Sequence, residues 1–525
     1  MPKSANKTEK NPSFIERPPV VAVLGHIDHG KSTLLDYIRK TNIVDSEVGG
    51  ITQKISTYEI EHAGKKITFI DTPGHEAFQE MRKRGSRVAD LAILVVSAED
   101  GVKPQTVEAY KAIEESKTPF IVAINKIDKP NADIDRTKVS LAEAGIYLEG
   151  YGGTVSFATV SAKTGEGVPA LLDLVLLSTE ILDLKGDSGA KASGFVVESS
   201  RGEKKGVTAT LIIKNGTLKS GTTIVAGDAL VPARIIEDSR GKKITEATFS
   251  APVIVSGWTK APTVGAEFQT FEKKKDAEEY TENFALKQKA AGAKSVSENE
   301  PAAPLAREGA SKASISQETD FAPATVVFPI LIKADVAGSL EAIEYEIKKI
   351  KNDRVTFKIL GASIGTVNES DVKFAGSAKD AVIVGFNVGS DASAKVAAER
   401  LGVHVMMFDI IYKLSEWLAE ESTKRTPKVT TEEIAGSAKI MRFFSKTKDR
   451  QIVGGKVLSG EVHVGHEIKI MRNNVEIKRG MIRGLEQAKK KTDSVAVGFE
   501  FGAMIESALD LAPGDSIEDV IYVEK

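Results

Sequence analysis

Cysteine is missing from all 525 positions. Its absence removes disulfides, thiolate zinc sites and thiol nucleophiles, fits a reducing cytoplasmic setting, and leaves hard ligands as the expected donors for any metal. A large net charge is missing too: 71 Lys and Arg stand against 73 Asp and Glu, so charge has to be read region by region. Long apolar runs are scarce. The longest, LLDLVLLSTEILDL from Leu171, is broken by acids and falls short of the roughly 20 residues a membrane span needs, which predicts a packed amphipathic helix. The opening MPKSANKTEKNPSFIER has no apolar segment, so residues 1–17 read as a disordered tail rather than a secretory signal. No short-period repeat is present, and the length predicts several domains.

Between 18 and 186, short β-rich runs (VVAVL, KITFID, LAILVV, FIVAIN, VSFATVSA) alternate with helical stretches such as KSTLLDYIRK and QTVEAYKAIEES. That alternation predicts a doubly wound, mainly parallel sheet whose ligand loops lie at the strand C-terminal ends. Residues 192–271 carry turn signals (SRGEKKG, KNGTLKSG, VAGDA) between β-branched runs, the pattern of a small β-barrel. Residues 272–324 are rich in Ala, Lys, Glu and Ser and predict a helical segment followed by a linker. Strand and helix alternate again over 325–408, predicting an α/β/α sandwich. In 409–428, apolar residues at 410, 411, 414, 417 and 418 mark one face of a connecting helix. Strand patterns return over 436–525, with Asn473-Asn474 as a hairpin turn, and predict a C-terminal β-barrel. The fold class is therefore multidomain α/β and β.

Gly25-His26-Ile27-Asp28-His29-Gly30-Lys31-Ser32 fits G-x-x-x-x-G-K-[ST] directly after a strand run and before a helical one, with Thr33 following. Backbone N–H groups of such a loop and of the helix start surround phosphates, Lys31 supplies a point charge at the β and γ oxygens, and Ser32 a hydroxyl for Mg²⁺. A plain Gly-rich strand-helix turn is the bland alternative, and the strand-loop-helix context weighs against it. Asp71-Thr72-Pro73-Gly74-His75 follows KITFI. A carboxylate there can hold a magnesium water, and the glycine lets its N–H approach a γ-phosphate. His75 then falls beside the nucleophilic water. Thr52, in SEVGGITQ, is placed to reach back to Mg²⁺ when a γ-phosphate is present. Asn125-Lys126-Ile127-Asp128 ends the strand FIVAI. An ionised Asp128 only accepts, so it pairs with the two adjacent N–H donors of guanine and favours GTP over ATP. Ser161-Ala162-Lys163 supplies backbone and a lysine stem to close over the base.

With these motifs in order, the chain resembles the bacterial translation initiation factor two family of translational GTPases. GHIDHGKSTLLD, GGITQ, DTPGHEAF, MRKRGSRVADLAILVVSAEDGVKPQT and NKIDKP carry the likeness most closely, over 18–184; IKADVAGSLEAIE, GTVNESDV and AVIVGFNVGSDASA extend it. The resemblance implies a ribosome-activated GTPase, dependent on GTP and Mg²⁺, that places formylmethionyl initiator tRNA on the small ribosomal subunit and promotes joining of the large one. It also implies a cytoplasmic monomer working with other initiation factors, with His75 orienting the hydrolytic water. Two rivals are another tRNA-delivery GTPase and a GTP-switched RNA-binding scaffold; the second α/β unit argues against the first, and the intact loop, switch and His75 argue against the second.

In the family the last barrel holds the aminoacyl end of the tRNA. Charge agrees with a nucleic-acid role: residues 438–491 hold fourteen Lys and Arg against five acids, and an acidic stretch follows from Thr492. A solvated charged face is the alternative. Where the family commonly carries an E-C-G run, this chain has Glu500-Phe501-Gly502, and Phe499, Glu500, Phe501 and Gly502 are expected to line an apolar pocket for the methionine. The long N-terminal extension of many members has no counterpart. His463 and His466 form H-x-x-H, which strand alternation places on opposite faces, so no metal is assigned to them.

Overall fold

The computed structural model describes residues 14–40, 52–202, 205–295, 326–352, 354–426 and 430–524. It divides into one unit reaching Arg425 and a second from Thr426 onward. Among the described residues no helix is long and apolar enough to cross a membrane.

The first unit begins with a six-stranded sheet. In spatial order its strands are Ser56–His62, Lys65–Asp71, Val20–Gly25, Leu91–Ser97, Phe120–Asn125 and Phe157–Thr159, all parallel except the first. Helices α1 (Lys31–Arg39), α2 (Gln79–Val88), α3 (Pro104–Ser116), α4 (Ile134–Glu143) and α5 (Val168–Ile181) connect and cover it. Continuous apolar strands belong in such a sheet because both faces are covered. Val20, Ala22 and Leu24 enter one core while Val21 and Val23 enter the other. The run from Leu171 is α5, which buries Val168, Leu171, Leu172 and Val175, as its spacing predicts. One boundary differs from expectation. Phe14–Glu16 is not part of a tail; it pairs antiparallel with Lys185–Asp187.

An eight-stranded antiparallel sheet then spans Ser193–Phe271 around a core including Leu211, Ile224, Val231, Val253 and Phe268. Helix α6 (Lys274–Ser295) follows, and the predicted linker beyond it lies outside the described residues. The sandwich is four parallel strands in the order Val355–Ile364, Val326–Ala334, Val382–Phe386, His404–Phe408. It carries α7 (Ala337–Lys349), α8 (Glu369–Ala375) and α9 (Ala392–Leu401), and leads into α10 (Ile411–Arg425), which buries Ile411, Leu414 and Leu418.

In the second unit six strands close a ring: Thr430–Thr447, Ser516–Glu524, Glu467–Arg472, Val475–Gln487, Glu500–Glu506 and Arg450–His463, which pairs back to the first. The barrel starts six residues earlier than the sequence pattern suggests. Asn473 and Asn474 both have positive φ (53° and 62°), the geometry that joins antiparallel strands in two residues.

Candidate functional site

A cleft of about 270 Å³ opens at the C-terminal end of the parallel sheet, lined by Ile27, Asp28, Gly30, Lys31, Ser32, Thr33, Thr52, Gly74, His75 and Lys126. The loop that forms it is held tightly. Gly25 has φ 145°, and a Cβ there would stand 2.4 Å from the Val95 carbonyl oxygen, so the turn out of the strand excludes any side chain. Gly30 takes a left-handed conformation at the start of α1, with Asn125 Nδ2 where a Cβ would point. Lys31 lies buried with Nζ donating to the carbonyls of Gly25 (2.9 Å) and His26 (2.6 Å). Desolvation lowers its pKa to about 8, against the opposing pull of Asp71. A buried ammonium with only carbonyl dipoles to satisfy it is poised for a phosphate.

The other site residues fall into three groups. Ser32 Oγ and Thr52 Oγ1 are 2.8 Å apart and both border the cleft, while the buried Asp71, at the end of the adjacent strand, lies behind the lining and acts electrostatically on Lys31. Thr72 is buried and donates to the Val23 carbonyl, fixing the turn that carries Pro73, Gly74 and His75. Gly74 passes so close to the phosphate loop that a Cβ would stand 2.6 Å from Lys31 Nζ and 3.1 Å from the Ile27 nitrogen. His75 is mostly buried; its Nδ1 accepts from the Ala77 amide at 3.0 Å, and its ring meets the edge of Tyr412 at 4.4 Å. Burial drives its pKa down to about 4.

Asn125 ties two loops of the site together. It is buried, donates to the His29 carbonyl at 2.8 Å and accepts from the Ala162 amide at 2.9 Å, tying the phosphate loop to the Ser161-Ala162-Lys163 loop. Ser161 Oγ donates to Asp128 at 2.7 Å, which lowers the carboxyl pKa and orients an otherwise exposed side chain. Lys126 borders the cleft with φ 65°, and Lys163 is exposed. The loop histidines do not converge as metal ligands: His29 is buried with Nδ1 3.4 Å from the Val95 carbonyl, and burial lowers its pKa to about 3.

Several residues at the site carried no local signal. Arg82, on α2, is buried and donates to the carbonyls of Pro73 (3.2 Å) and His75 (2.5 Å) while pairing with Glu108 at 2.8 Å, so it fixes the backbone that presents His75. Gln105 accepts from the Ile27 amide at 3.2 Å. Gln53 donates to the Asp409 carbonyl (2.9 Å) and accepts from the Ile411 amide (3.1 Å) at the start of α10. MRKRGSRVAD is rich in arginine and QTVEAYK holds one glutamate, but no pattern in either stretch says that Arg82 and Glu108 pair.

In the second unit, strand alternation divides the four expected pocket residues. Phe501 points into the barrel core, whereas Phe499 and Glu500 are exposed. A cavity of about 380 Å³ does open on the outer face, lined by Met441, Phe444, Gly454, Glu486, Glu500, Gly502 and the Phe501 ring beneath Gly455, without Phe499. Much of the basic charge is neutralised within the barrel, through Arg472 to Asp515, Arg479 to Glu432 and Arg483 to Glu506. His463 and His466 share a face after all. The strand ends at His463 and the turn at Gly465 (φ 86°) swings His466 back, so that both Nδ1 atoms meet Asp519.

A phosphate loop, a D-x-x-G turn and an N-K-x-D loop on one doubly wound sheet define the class of P-loop G-domain proteins. Matching family models agree along the chain: "Elongation factor Tu GTP binding domain" over 16–180, "Elongation factor G domain 2" over 191–271 and "Translation-initiation factor 2" over 306–419. Translation initiation factor IF-2 of Rubrobacter xylanophilus is 38% identical, covering 100% of this chain and 74% of that protein. The same factor from Nitratiruptor sp. is 42% identical over 97% of this chain and 59% of its own length. The chain belongs to the translation initiation factor IF-2 family. It spans about half the length of most of the curated relatives it matches. Among solved structures, GDP-bound aIF5B from Aeropyrum pernix covers 96% of this chain and is covered to 92%, at 25% identity and a TM-score of 0.45.

Proposed function

We propose that this chain is a translation initiation GTPase. It binds GTP, hydrolyses it to GDP and phosphate when the ribosome engages it, places formylmethionyl initiator tRNA on the small subunit and promotes joining of the large one. The observation that carries the reading is the convergence of Lys31, the Ser32–Thr52 hydroxyl pair and His75 on one cleft, in a chain of this family. Phosphoryl transfer needs positioning and charge neutralisation more than covalent chemistry, and these residues supply both. Lys31 exchanges its carbonyl partners for phosphate oxygens. The loop amides and the α1 N-terminus cradle the remaining charge. Ser32, Thr52 and Asp71 are an all-oxygen donor set that fits Mg²⁺, which when bound neutralises β- and γ-phosphate oxygens. Asp128, steered by Ser161, selects guanine, and His75 orients the attacking water. The cavity edged by Met441, Phe444, Glu500 and Gly502 is assigned to the aminoacyl end of the tRNA. Phe501 supports it from the core, and Phe499 stands outside it. The setting is cytoplasmic and the factor monomeric, acting with other initiation factors.

Two arms test the reading. GTP turnover is expected to rise steeply when both ribosomal subunits are added, and no rise would remove the GTPase role. In filter binding, charged formylated initiator tRNA is expected to bind more tightly than unformylated initiator or elongator tRNA. Equal affinity for all three would overturn the initiation role while leaving the GTPase reading intact.

A further inference from the structure

The turn at Gly465 brings together three donor groups that the nucleotide cleft does not use. His466 Nδ1 lies 2.8 Å from Asp519 Oδ1, and His463 Nδ1 lies 3.1 Å from Asp519 Oδ2. The three ligand atoms fall within 4.8 Å of one another. Asp519 is completely buried on the strand Ser516–Glu524, and its Oδ2 also accepts from the His463 amide at 2.8 Å. Among the described residues no lysine or arginine comes within ion-pair distance of it. A buried carboxylate needs a compensating positive charge. A divalent cation seated among the three donor atoms supplies that charge.

We infer that His463, His466 and Asp519 form a zinc site on the rim of the C-terminal barrel. Two imidazole nitrogens and one carboxylate oxygen are a donor set of zinc, and three protein ligands leave its fourth position open to water or a further ligand. Donor atoms around a tetrahedral zinc stand about 3.3 Å apart; the two ring-to-carboxylate separations, 2.8 and 3.1 Å, are already close to that, and the widest separation in the group, within 4.8 Å, closes by side-chain rotation. Glu461 Oε2 lies 3.5 Å from His463 Nε2, the ring nitrogen turned away from Asp519. A carboxylate on the far nitrogen fixes the ring orientation and raises its basicity toward the metal. The ion takes the place of the two hydrogen bonds between the rings and Asp519. It also pins the end of the strand Arg450–His463 to Ser516–Glu524. Cysteine's absence removed thiolate zinc sites from this chain; it did not remove imidazole ones.

The test is calorimetric titration of Zn²⁺ into the full chain, already loaded with GDP and saturated with Mg²⁺ so that the phosphate cleft is filled. One Zn²⁺ per chain is expected, and His466→Gln is expected to weaken it by about a hundredfold or more. His466 is partly exposed, which keeps the variant foldable. In the unaltered chain, Zn²⁺ should shift the ring ¹⁵N resonances of His463 and His466 and leave those of His62 and His404 in place. Absence of stoichiometric Zn²⁺, equal affinity in His466→Gln, or unmoved resonances would show a purely hydrogen-bonded clip and overturn the site.

Discussion

The amide of Ala77 donates to His75 Nδ1, so the ring proton sits on Nε2. Burial holds the pKa near 4, and the ring is neutral throughout the physiological range. A neutral ring with its only lone-pair nitrogen engaged by backbone cannot serve as a general base; it can only donate from Nε2 to an oxygen. The contribution proposed for His75 is therefore positional. Ribosome-stimulated turnover is expected to show no inflection attributable to His75 between about pH 5.5 and 8, because a group titrating near 4 has finished losing its proton below that window. His75→Ala is expected to slow stimulated hydrolysis by about a hundredfold with GTP affinity unchanged, the loss typical of a misplaced nucleophile. A profile with an inflection near 6.5 that disappears in His75→Gln would instead make His75 a base. The role proposed for this residue comes from its place after Asp71 and Gly74. Its tautomer was not, since that depends on the short helical turn from Glu76 that turns the Ala77 amide onto the ring.

Helix α10 is joined to the nucleotide cleft by two neighbouring residues. Thr52 meets Ser32, and Gln53 brackets the start of α10 through Asp409 and Ile411, while Tyr412 in the same turn packs on His75. A rearrangement of Thr52 on nucleotide binding is expected to reach α10, since Thr52 and Gln53 are adjacent in the chain. Gln53→Ala removes two hydrogen bonds of about 1 kcal/mol each, so opening of the first α10 turn should become about thirtyfold faster by hydrogen exchange. The difference in exchange between GTP-bound and GDP-bound chains should vanish there in this variant. A difference that persists in Gln53→Ala would show that α10 senses the nucleotide by another path. The apolar face of α10 was readable from its spacing at 411, 414 and 418, because helical periodicity is local. The Gln53 clamp was not readable, because its partners lie more than 350 residues away and glutamine in SEVGGITQ carries no pattern.

Within the unit ending at Arg425, G domain, barrel and sandwich are joined by buried polar groups rather than by apolar faces alone. Asp90 receives Arg17 at 2.6 and 2.7 Å and Lys214 at 2.8 Å; Thr68 donates to the Ser250 carbonyl; Arg84 pairs in bidentate fashion with Glu341. Sequence alternation revealed each domain because each has its own strand and helix period, but the joints are single side chains with no period to detect. Glu198 is the most exposed of these joints to pH. Its Oε1 accepts from the amides of Ser199 (2.9 Å) and Gly338 (3.3 Å), its Oε2 is buried without a hydrogen-bond partner, and desolvation raises its pKa to about 7. For an acid whose folded pKa lies above its unfolded value of 4.5, the folded state holds the extra proton. The associated stability is complete below 4.5 and is lost as pH rises to 7, at about 1.4 kcal/mol per unit, or about 3 kcal/mol in all. Glu198→Gln keeps the acceptor for both amides and cannot ionise. Its melting temperature relative to the parent chain should therefore rise from pH 5 to pH 8, with most of the change complete by pH 7. The lowered pKa values of His29 and His75 push stability the other way, but they are common to both chains and cancel in the difference. A melting difference that is the same at pH 5 and pH 8 would mean that Glu198 is already ionised at its joint, with Arg84 supplying the compensating charge.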